Sequence, residues 1–305
     1  MEPSVILQQM GVILILVLIG VFLSRKNILN DTVTKNISWI IVNVCNPAAI
    51  LSMVTGGDIT TTHGDFTVGL VLCVLLYVFL CVFGMAMPYI LRIRPEEQKR
   101  YYSVITVYTN TGFIGIPLAK ALLSSNEMIY VIICNIIYTI SFYSHGVHLL
   151  STKKVRFRIQ NLMNPGIIMA IFALVIYWFD FKLPELAVSA ITYVGNPTVF
   201  LSMILLGASL ARQPFFDNLK DGKLWEFIAV RMIVFPVVFV LFLRAVGVSD
   251  PAIRAYCLMM ALPIGNLPLI QSEKEGRDTT FLSKAIMVTT VVSFLTVTFL
   301  MSILF

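Results

Sequence analysis

Charged residues and catalytic motifs are both scarce in this sequence. Only 12% of its 305 residues are charged, whereas 58% are hydrophobic. A soluble domain of this composition lacks the polar surface needed to cover its exterior. The sequence contains no HExxH, GxSxG, Walker-type GxxxxGK[ST] or GxGxxG motif, which excludes the enzyme classes that those motifs mark. We therefore predict a membrane protein that is not an enzyme, has no metal or cofactor and binds no nucleic acid.

Paired cysteines and long polar segments are missing as well. The five cysteines form no CxxC pair and lie in apolar segments, where they are typical small core residues. Ten apolar runs, each near the length that crosses a bilayer as a helix, are joined by short connections. The runs are roughly 5–23, 37–54, 66–91, 101–123, 128–150, 164–180, 188–211, 224–246, 252–271 and 279–304. This pattern predicts an all-α integral membrane protein with ten transmembrane helices in the lipid bilayer.

The positive charges are distributed unevenly among the predicted loops. Cytoplasmic loops collect Lys and Arg. If the N-terminus is outside, the inner loops hold 16 of the 22 positive residues, among them Lys35 and Lys223. The outer loops hold at most Lys182, Arg244 and Arg254. Glu2 precedes the first run and Arg25 follows it, the reverse of a secretory signal peptide. We predict a multi-pass protein of the cytoplasmic membrane with both termini outside.

One phrase occurs twice in the chain. NPAAILSM at residues 46–53 and NPTVFLSM at residues 196–203 share five of eight letters. The copies lie in spans 2 and 7, five spans apart, so the second copy crosses the membrane in the opposite direction. The repetition therefore predicts two inverted five-helix repeats, residues 1–155 and 156–305, which is a common plan in secondary transporters.

Each copy of the phrase places an Asn-Pro pair inside a span. Pro47 and Pro197 are expected to kink their helices because proline removes a backbone hydrogen bond. Asn46 and Asn196 either cap the freed carbonyls or face a substrate, and we favour a structural role for both. Two serines in the same phrases are predicted to pack between helices: Ser52 and Ser202.

Spans 4 and 9 each carry Gly, Asn and Pro near their middle. Span 4 contains TNTGFIGIPLAKALL at 109–123, and span 9 contains ALPIGNLPLI at 261–270. Glycine and proline disfavour a continuous helix, so each span should break near the bilayer centre. A break exposes helix N-termini whose unpaired N–H groups and partial positive charge favour an anion. Two breaks that cross therefore predict an anion site.

Other polar residues lie inside the predicted spans. Arg231, near the middle of span 8, contacts either an anion or the carbonyls of another helix. Lys120 and Lys284 lie nearer helix ends, where their ammonium groups are expected to reach the interface. His145 and His148 are three residues apart, a spacing that suits a metal or a proton relay. No nearby acid or cysteine completes a ligand set, so we predict ordinary polar packing for both.

The motifs of spans 4 and 7 together resemble a known family. TNTGFIGIPLAKA looks like the fourth-span signature of the auxin efflux carrier family, which includes plant PIN carriers and bacterial malate or malonate permeases. GNPTVFLSMILLGASLA at 195–211 is similar to the seventh span of bacterial members. The chain lacks the long cytoplasmic loop of plant carriers, the acidic residue of their span 3 and the Gln of their span 5. The resemblance is therefore to the bacterial branch.

The resemblance implies an architecture and a mechanism. Spans 1, 2, 6 and 7 would form a scaffold that makes a homodimer, and spans 3–5 and 8–10 would slide past it as an elevator. Substrate would bind where spans 4 and 9 cross. The substrate-binding residues implied are Asn110, Thr111, Gly112, Gly115, Pro117, Pro263, Gly265, Asn266 and Pro268. Supporting or scaffold-side residues would be Asn46, Pro47, Asn196, Pro197 and Arg231.

We therefore predict a secondary transporter for a small organic anion, such as malate, malonate or an auxin-like acid. One alternative is a sodium-coupled symporter of the bile-acid type, which shares the crossover. Sodium sites favour carboxylates, and neither span 4 nor span 9 has a central Asp or Glu. Another alternative is a receptor that keeps the fold and transports nothing.

Overall fold

The computed structural model describes residues 3–56, 59–151, 163–212 and 221–305. These residues are helical, apart from short connections and one isolated β-bridge between Thr109 and Ile264. The predicted boundary between the repeats, at 155/156, lies outside the described residues. The same holds for five of the basic loop residues: Lys153, Lys154, Arg156, Arg158 and Lys220.

The helices are named α1 to α12 in chain order. They are α1 Pro3–Arg25, α2 Asp31–Thr55, α3 His63–Ile90, α4 Glu96–Val107, α5 Thr111–Leu122, α6 Ser125–Leu150, α7 Pro165–Phe179, α8 Glu185–Ala211, α9 Gly222–Ala245, α10 Asp250–Ala261, α11 Leu267–Lys274 and α12 Thr280–Leu304. Within the described ranges, seven helices are long and apolar enough to cross a membrane: α1, α2, α3, α6, α8, α9 and α12. Helices α5 and α7 are apolar but shorter.

Most helices begin a few residues earlier than the hydropathy pattern indicates, and α2 and α9 illustrate this. Helix α2 starts at Asp31 because the Asn30 side chain accepts a hydrogen bond from the Val33 N–H group. Lys35 therefore lies within α2, and Lys223 lies in the first turn of α9; neither is a loop residue. A hydropathy pattern detects the apolar part of a helix, but it does not detect a polar first turn that a capping side chain stabilises.

Prolines inside the helices are accommodated by wider turns. A π-helical turn, Ile41–Cys45, lies immediately before Asn46 and Pro47 in α2. The turn Thr111–Gly115 precedes Pro117 in α5 in the same way. Proline lacks an N–H group and its ring crowds the carbonyl four residues earlier, and a π turn relieves both constraints locally. In α8 the regular helix is interrupted at Asn196, just before Pro197.

Helices α1, α2, α7 and α8 pack against one another. The contact between α1 and α8 is extensive, and α2 contacts both α7 and α8. Gly207 of α8 makes the first contact possible, because a Cβ atom there would lie 2.0 Å from the Val17 carbonyl oxygen of α1. Only glycine allows two helix backbones to approach this closely.

The remaining helices form a second packed group, which contacts the first where α12 meets α1 and where α6 meets α7. Helix α3 contacts α4 and α6, while α10 contacts α6, α9 and α12. Glu127 of α6 is buried and forms an ion pair with Arg254 of α10. Arg254 therefore lies inside the helical structure, and its expected place in an outer loop was wrong.

Two other charged side chains also have partners that are distant in the sequence. Arg244 lies within α9 and donates a hydrogen bond to the carbonyl oxygen of Leu304. Lys284 forms an ion pair at 3.2 Å with Asp221, the residue that caps the N-terminus of α9. Both contacts join residues more than 50 positions apart, which a local sequence pattern does not reveal.

Candidate functional site at a helix crossover

Spans 4 and 9 are both interrupted where the sequence predicted. Helix α4 ends at Val107 and α5 begins at Thr111, while α10 ends at Ala261 and α11 begins at Leu267. The connecting segments lie side by side and run in opposite directions, as the antiparallel bridge between Thr109 and Ile264 shows. The four helix ends therefore meet in one small region of the protein.

Two backbone hydrogen bonds join the connecting segments. The Asn110 N–H group donates to the Pro263 carbonyl oxygen at 2.8 Å, and the Gly265 N–H group donates to the Tyr108 carbonyl oxygen at 3.0 Å. A Cβ atom on Gly265 would lie 2.7 Å from the Thr109 carbonyl oxygen. Glycine at 265 is therefore required for the two chains to come this close.

The two crossover asparagines are used differently. The Asn110 side-chain oxygen accepts a hydrogen bond from the Phe113 N–H group at 3.2 Å and so caps α5. The side-chain NH₂ group of Asn110 can therefore donate a hydrogen bond to a bound ligand. Asn266 precedes α11 without any side-chain capping bond, and it is half-buried. Both amides are thus able to donate a hydrogen bond to an acceptor beside the helix ends.

A cavity of about 470 Å³ adjoins the crossover. Asn110 and Asn266 line its inner end, and it extends to the exposed residues Lys35 and Arg212. Several hydroxyl groups line the cavity between these ends: Thr34, Ser38, Ser202, Ser209, Ser283 and Thr290. The cavity therefore combines these hydroxyl groups with apolar side chains such as Phe113 and Leu206. At its exposed end, Lys35 lies near the ion pair of Arg212 and Asp31.

Ser202 contributes to this cavity wall a buried hydroxyl that has no hydrogen-bond partner within the described residues. Ser52, its counterpart in the repeated phrase, donates to the Ala49 carbonyl oxygen of its own helix at 2.9 Å. Ser202 was predicted as a packing residue only. Ser202 lines the cavity because of the way α8 packs against α5 and α12, and this packing cannot be read from the sequence.

The other predicted crossover residues build the site without lining the cavity. The Thr111 hydroxyl is buried and donates to the side-chain oxygen of Asn135 on α6 at 3.3 Å. Gly115 lies close to Leu262, because a Cβ atom on Gly115 would be 2.7 Å from the Leu262 Cδ1 atom. Four others form the backbone around the breaks: Gly112, Pro117, Pro263 and Pro268. Sequence reasoning did not find Asn135, because nothing local marks it.

The asparagines of the repeated phrase both contact α5. The Asn46 amide nitrogen donates to the Gly112 carbonyl oxygen at 2.9 Å. The Asn196 side-chain oxygen accepts from the Lys120 ammonium group at 3.1 Å. Neither asparagine lines the cavity at the crossover. Lys120 is therefore held by a polar partner on α8, whereas it was expected to extend to the interface.

Arg231 donates hydrogen bonds to backbone carbonyls of other helices, which is one of the two alternatives left open for it. Its Nε group donates to the Thr106 carbonyl oxygen at 2.5 Å, and its Nη1 group donates to the Met260 carbonyl oxygen at 2.8 Å. Its guanidinium also lies over the Phe235 ring, 5.2 Å from the centroid. Arg231 does not line the cavity, so it acts on the helix ends that precede the breaks.

His145 is also tied to the crossover region. Its Nδ1 atom lies 3.0 Å from the Tyr108 hydroxyl oxygen and 3.5 Å from the Cys81 sulfur. The Tyr108 hydroxyl donates in turn to the Ser141 carbonyl oxygen at 2.9 Å. His148, by contrast, is exposed. The two histidines thus have different surroundings, and His145 takes part in a polar network that orients Tyr108.

The long apolar helices and the buried crossover define a multi-pass membrane protein built around two interrupted helices. The family model described as membrane transport protein matches residues 5–161 and 154–301. The chain therefore belongs to this membrane transport family, that of the auxin efflux carriers, and the resemblance inferred from the sequence is confirmed. It is a transport protein and not an enzyme.

A relative with a curated description points the same way. An uncharacterised transporter of Methanocaldococcus jannaschii is 23% identical over 303 residues, a match that covers 94% of each chain. The match spans both interrupted helices. The similarity supports transport as the general activity and specifies no substrate.

Proposed function

We propose that the protein is a secondary transporter that carries a small organic anion across the cytoplasmic membrane. The substrate class is a mono- or dicarboxylate, such as malate, malonate or an auxin-like acid. The observation that carries this proposal is the crossover, where the N-terminal ends of α5 and α11 adjoin one cavity with the amides of Asn110 and Asn266. Each helix end carries roughly half a positive charge, so the pair matches about one carboxylate.

The remainder of the cavity suits the same class of ligand. Its volume of about 470 Å³ lies within the range of small-molecule sites. The unpartnered hydroxyl of Ser202 and the hydroxyl of Thr290 supply hydrogen bonds for a carboxylate or for a substituent beside it. Lys35 at the exposed end has no ion pair within the described residues, so its charge attracts anions toward the cavity.

For the mechanism we propose an elevator. Helices α1, α2, α7 and α8 would be the scaffold, and α3–α6 with α9–α12 would be the moving domain, in two inverted repeats of residues 1–155 and 156–305. The two packed groups of helices support this division. Few polar contacts between the groups would need to break, among them those of Asn46 with Gly112 and of Lys120 with Asn196.

Orientation follows from the distribution of positive charge. With both termini outside, Lys35 and Arg212 lie at the cytoplasmic end of the cavity, so the state described is open to the cytoplasm. The membrane potential would then favour export of an anion, by about 2.3 kcal/mol per charge for each 100 mV. The scaffold helices would also form the contact of a homodimer.

The test is counterflow of labelled malate and malonate in proteoliposomes. We expect Asn266→Ala to weaken substrate binding roughly tenfold or more, because a hydrogen bond to a charged group contributes about 1.5–3 kcal/mol. Asn43→Ala is the matched control, since within the described residues the Asn43 side chain donates to the Trp39 carbonyl oxygen of its own helix and does not line the cavity. Equal flux in both variants would contradict the site.

The same preparation separates the alternative functions. Flux that requires sodium in place of N-methylglucamine would indicate a sodium symporter. Ligand binding detected by thermal shift, together with no counterflow of any tested acid, would indicate a receptor. The proposed carrier binds the acid, transports it and needs no sodium.

A further inference from the structure

Arg231 is a buried cation for which the described residues provide no carboxylate partner. It is 2% exposed and lies in the π-helical turn Ala229–Val234 of α9. None of the ion pairs among the described residues includes it. The other charged residue buried in these ranges is Glu127, which pairs with Arg254. A lone charge at this depth is costly unless something else compensates it.

The compensation comes from two helix C-termini. Thr106 lies in the last turn of α4 and Met260 in the last turn of α10, and their carbonyl oxygens accept the hydrogen bonds of Arg231. Each helix C-terminus carries roughly half a negative charge. The two ends therefore sum to about one negative charge, which a single guanidinium balances.

The crossover thus has two sites of opposite sign. The N-terminal ends of α5 and α11 adjoin an open cavity, whereas the C-terminal ends of α4 and α10 are bridged by Arg231. Without Arg231, the two carbonyl ends would form a buried site for a small cation, because unpaired carbonyl oxygens and a negative dipole are what such an ion binds.

We propose that the C-terminal ends of α4 and α10 form a cation site that Arg231 fills permanently. The side chain takes the place of a coupling ion such as sodium. The site therefore needs no dissolved cation for the crossover to assume the form that binds an anion. This last consequence rests on the proposed function, whereas the cation site itself does not.

The test is chemical rescue, which needs no transport substrate. Arg231→Ala should lower the melting temperature of the purified protein, and millimolar guanidinium should raise it again in a saturable way. Urea has the same shape and no charge, so it should not do so. Arg244→Ala is the matched control on the same helix, because Arg244 is exposed, and guanidinium should not raise its melting temperature.

Two further measurements keep the proposal testable if Arg231→Ala does not fold. Arg231→Lys keeps the charge and should fold, with a melting temperature nearer to that of the wild type than Arg231→Met, which keeps only the bulk. The wild type should melt at the same temperature in sodium and in N-methylglucamine at equal ionic strength.

Any of three results would overturn the proposal. They are equal rescue by guanidinium and urea, equal melting of the Lys and Met variants, and specific stabilisation of the wild type by sodium. A failure of malate counterflow would not affect these measurements, so it would count only against the proposed function.

Discussion

Replacing Gly265 with alanine should force the two connecting segments of the crossover apart. The added Cβ would lie 2.7 Å from the carbonyl oxygen and 3.0 Å from the carbonyl carbon of Thr109. Unstrained carbon–oxygen contacts begin at about 3.3 Å. The obstructing atoms belong to the backbone, so no side-chain rotation relieves the overlap. The segments must separate by roughly half an ångström or more at this point.

That separation acts on the two hydrogen bonds of the bridge. They link Asn110 to Pro263 and Gly265 to Tyr108, with lengths of 2.8 and 3.0 Å. A buried backbone group that loses its partner costs about 1–3 kcal/mol. The loss of both bonds therefore corresponds to about 2–6 kcal/mol, a large fraction of the stability of a typical protein. The displaced Asn110 would also lose its position beside the cavity.

Thermal unfolding of the purified protein measures the first effect, and proteoliposome counterflow measures the second. Gly112→Ala is the matched control, because a Cβ at Gly112 has no atom within 4 Å. Gly112 lies in the first turn of α5, so alanine there should leave stability unchanged or increase it by up to about 1 kcal/mol. Equal melting temperatures and equal counterflow rates for Gly265→Ala and Gly112→Ala would show that the two connecting segments do not approach as closely as described.

Two other predictions concern packing away from the cavity. Gly207→Ala should lower the melting temperature, because the new Cβ would lie 2.0 Å from the Val17 carbonyl oxygen and overpacking costs about 1–3 kcal/mol. Gly11→Ala is the control and should not lower the melting temperature, because a Cβ at that position of α1 has no atom within 4 Å. Arg254→Met should destabilise the protein by up to about 3–5 kcal/mol, because it removes the ion-pair partner of the buried Glu127 and leaves that carboxylate, among the described residues, only the Ser124 N–H group. Adding Glu127→Gln should restore part of that loss, and no recovery would refute the argument.

The sequence alone indicated the interruptions of spans 4 and 9. Gly265 and Pro268, like Gly115 and Pro117, disfavour a continuous helix through local backbone geometry, so their effect is visible without any partner. The same is true of the apolar runs, because transfer into lipid depends on composition over about 20 residues. These predictions concern neighbouring residues along the chain. The described helices are interrupted at both predicted places, and seven of them are long and apolar enough to cross a membrane, whereas the sequence predicted ten spans.

Only the tertiary structure decided what the isolated polar residues contact. The sequence placed Arg231 inside a span but left its partner open, and the folded chain supplied the carbonyls of Thr106 and Met260. The cavity beside Ser202 and the ion pair of Lys284 were not visible in the sequence for the same reason. A cavity wall or an ion pair is set by the packing of helices that are distant in sequence, and periodicity within one helix carries no information about it.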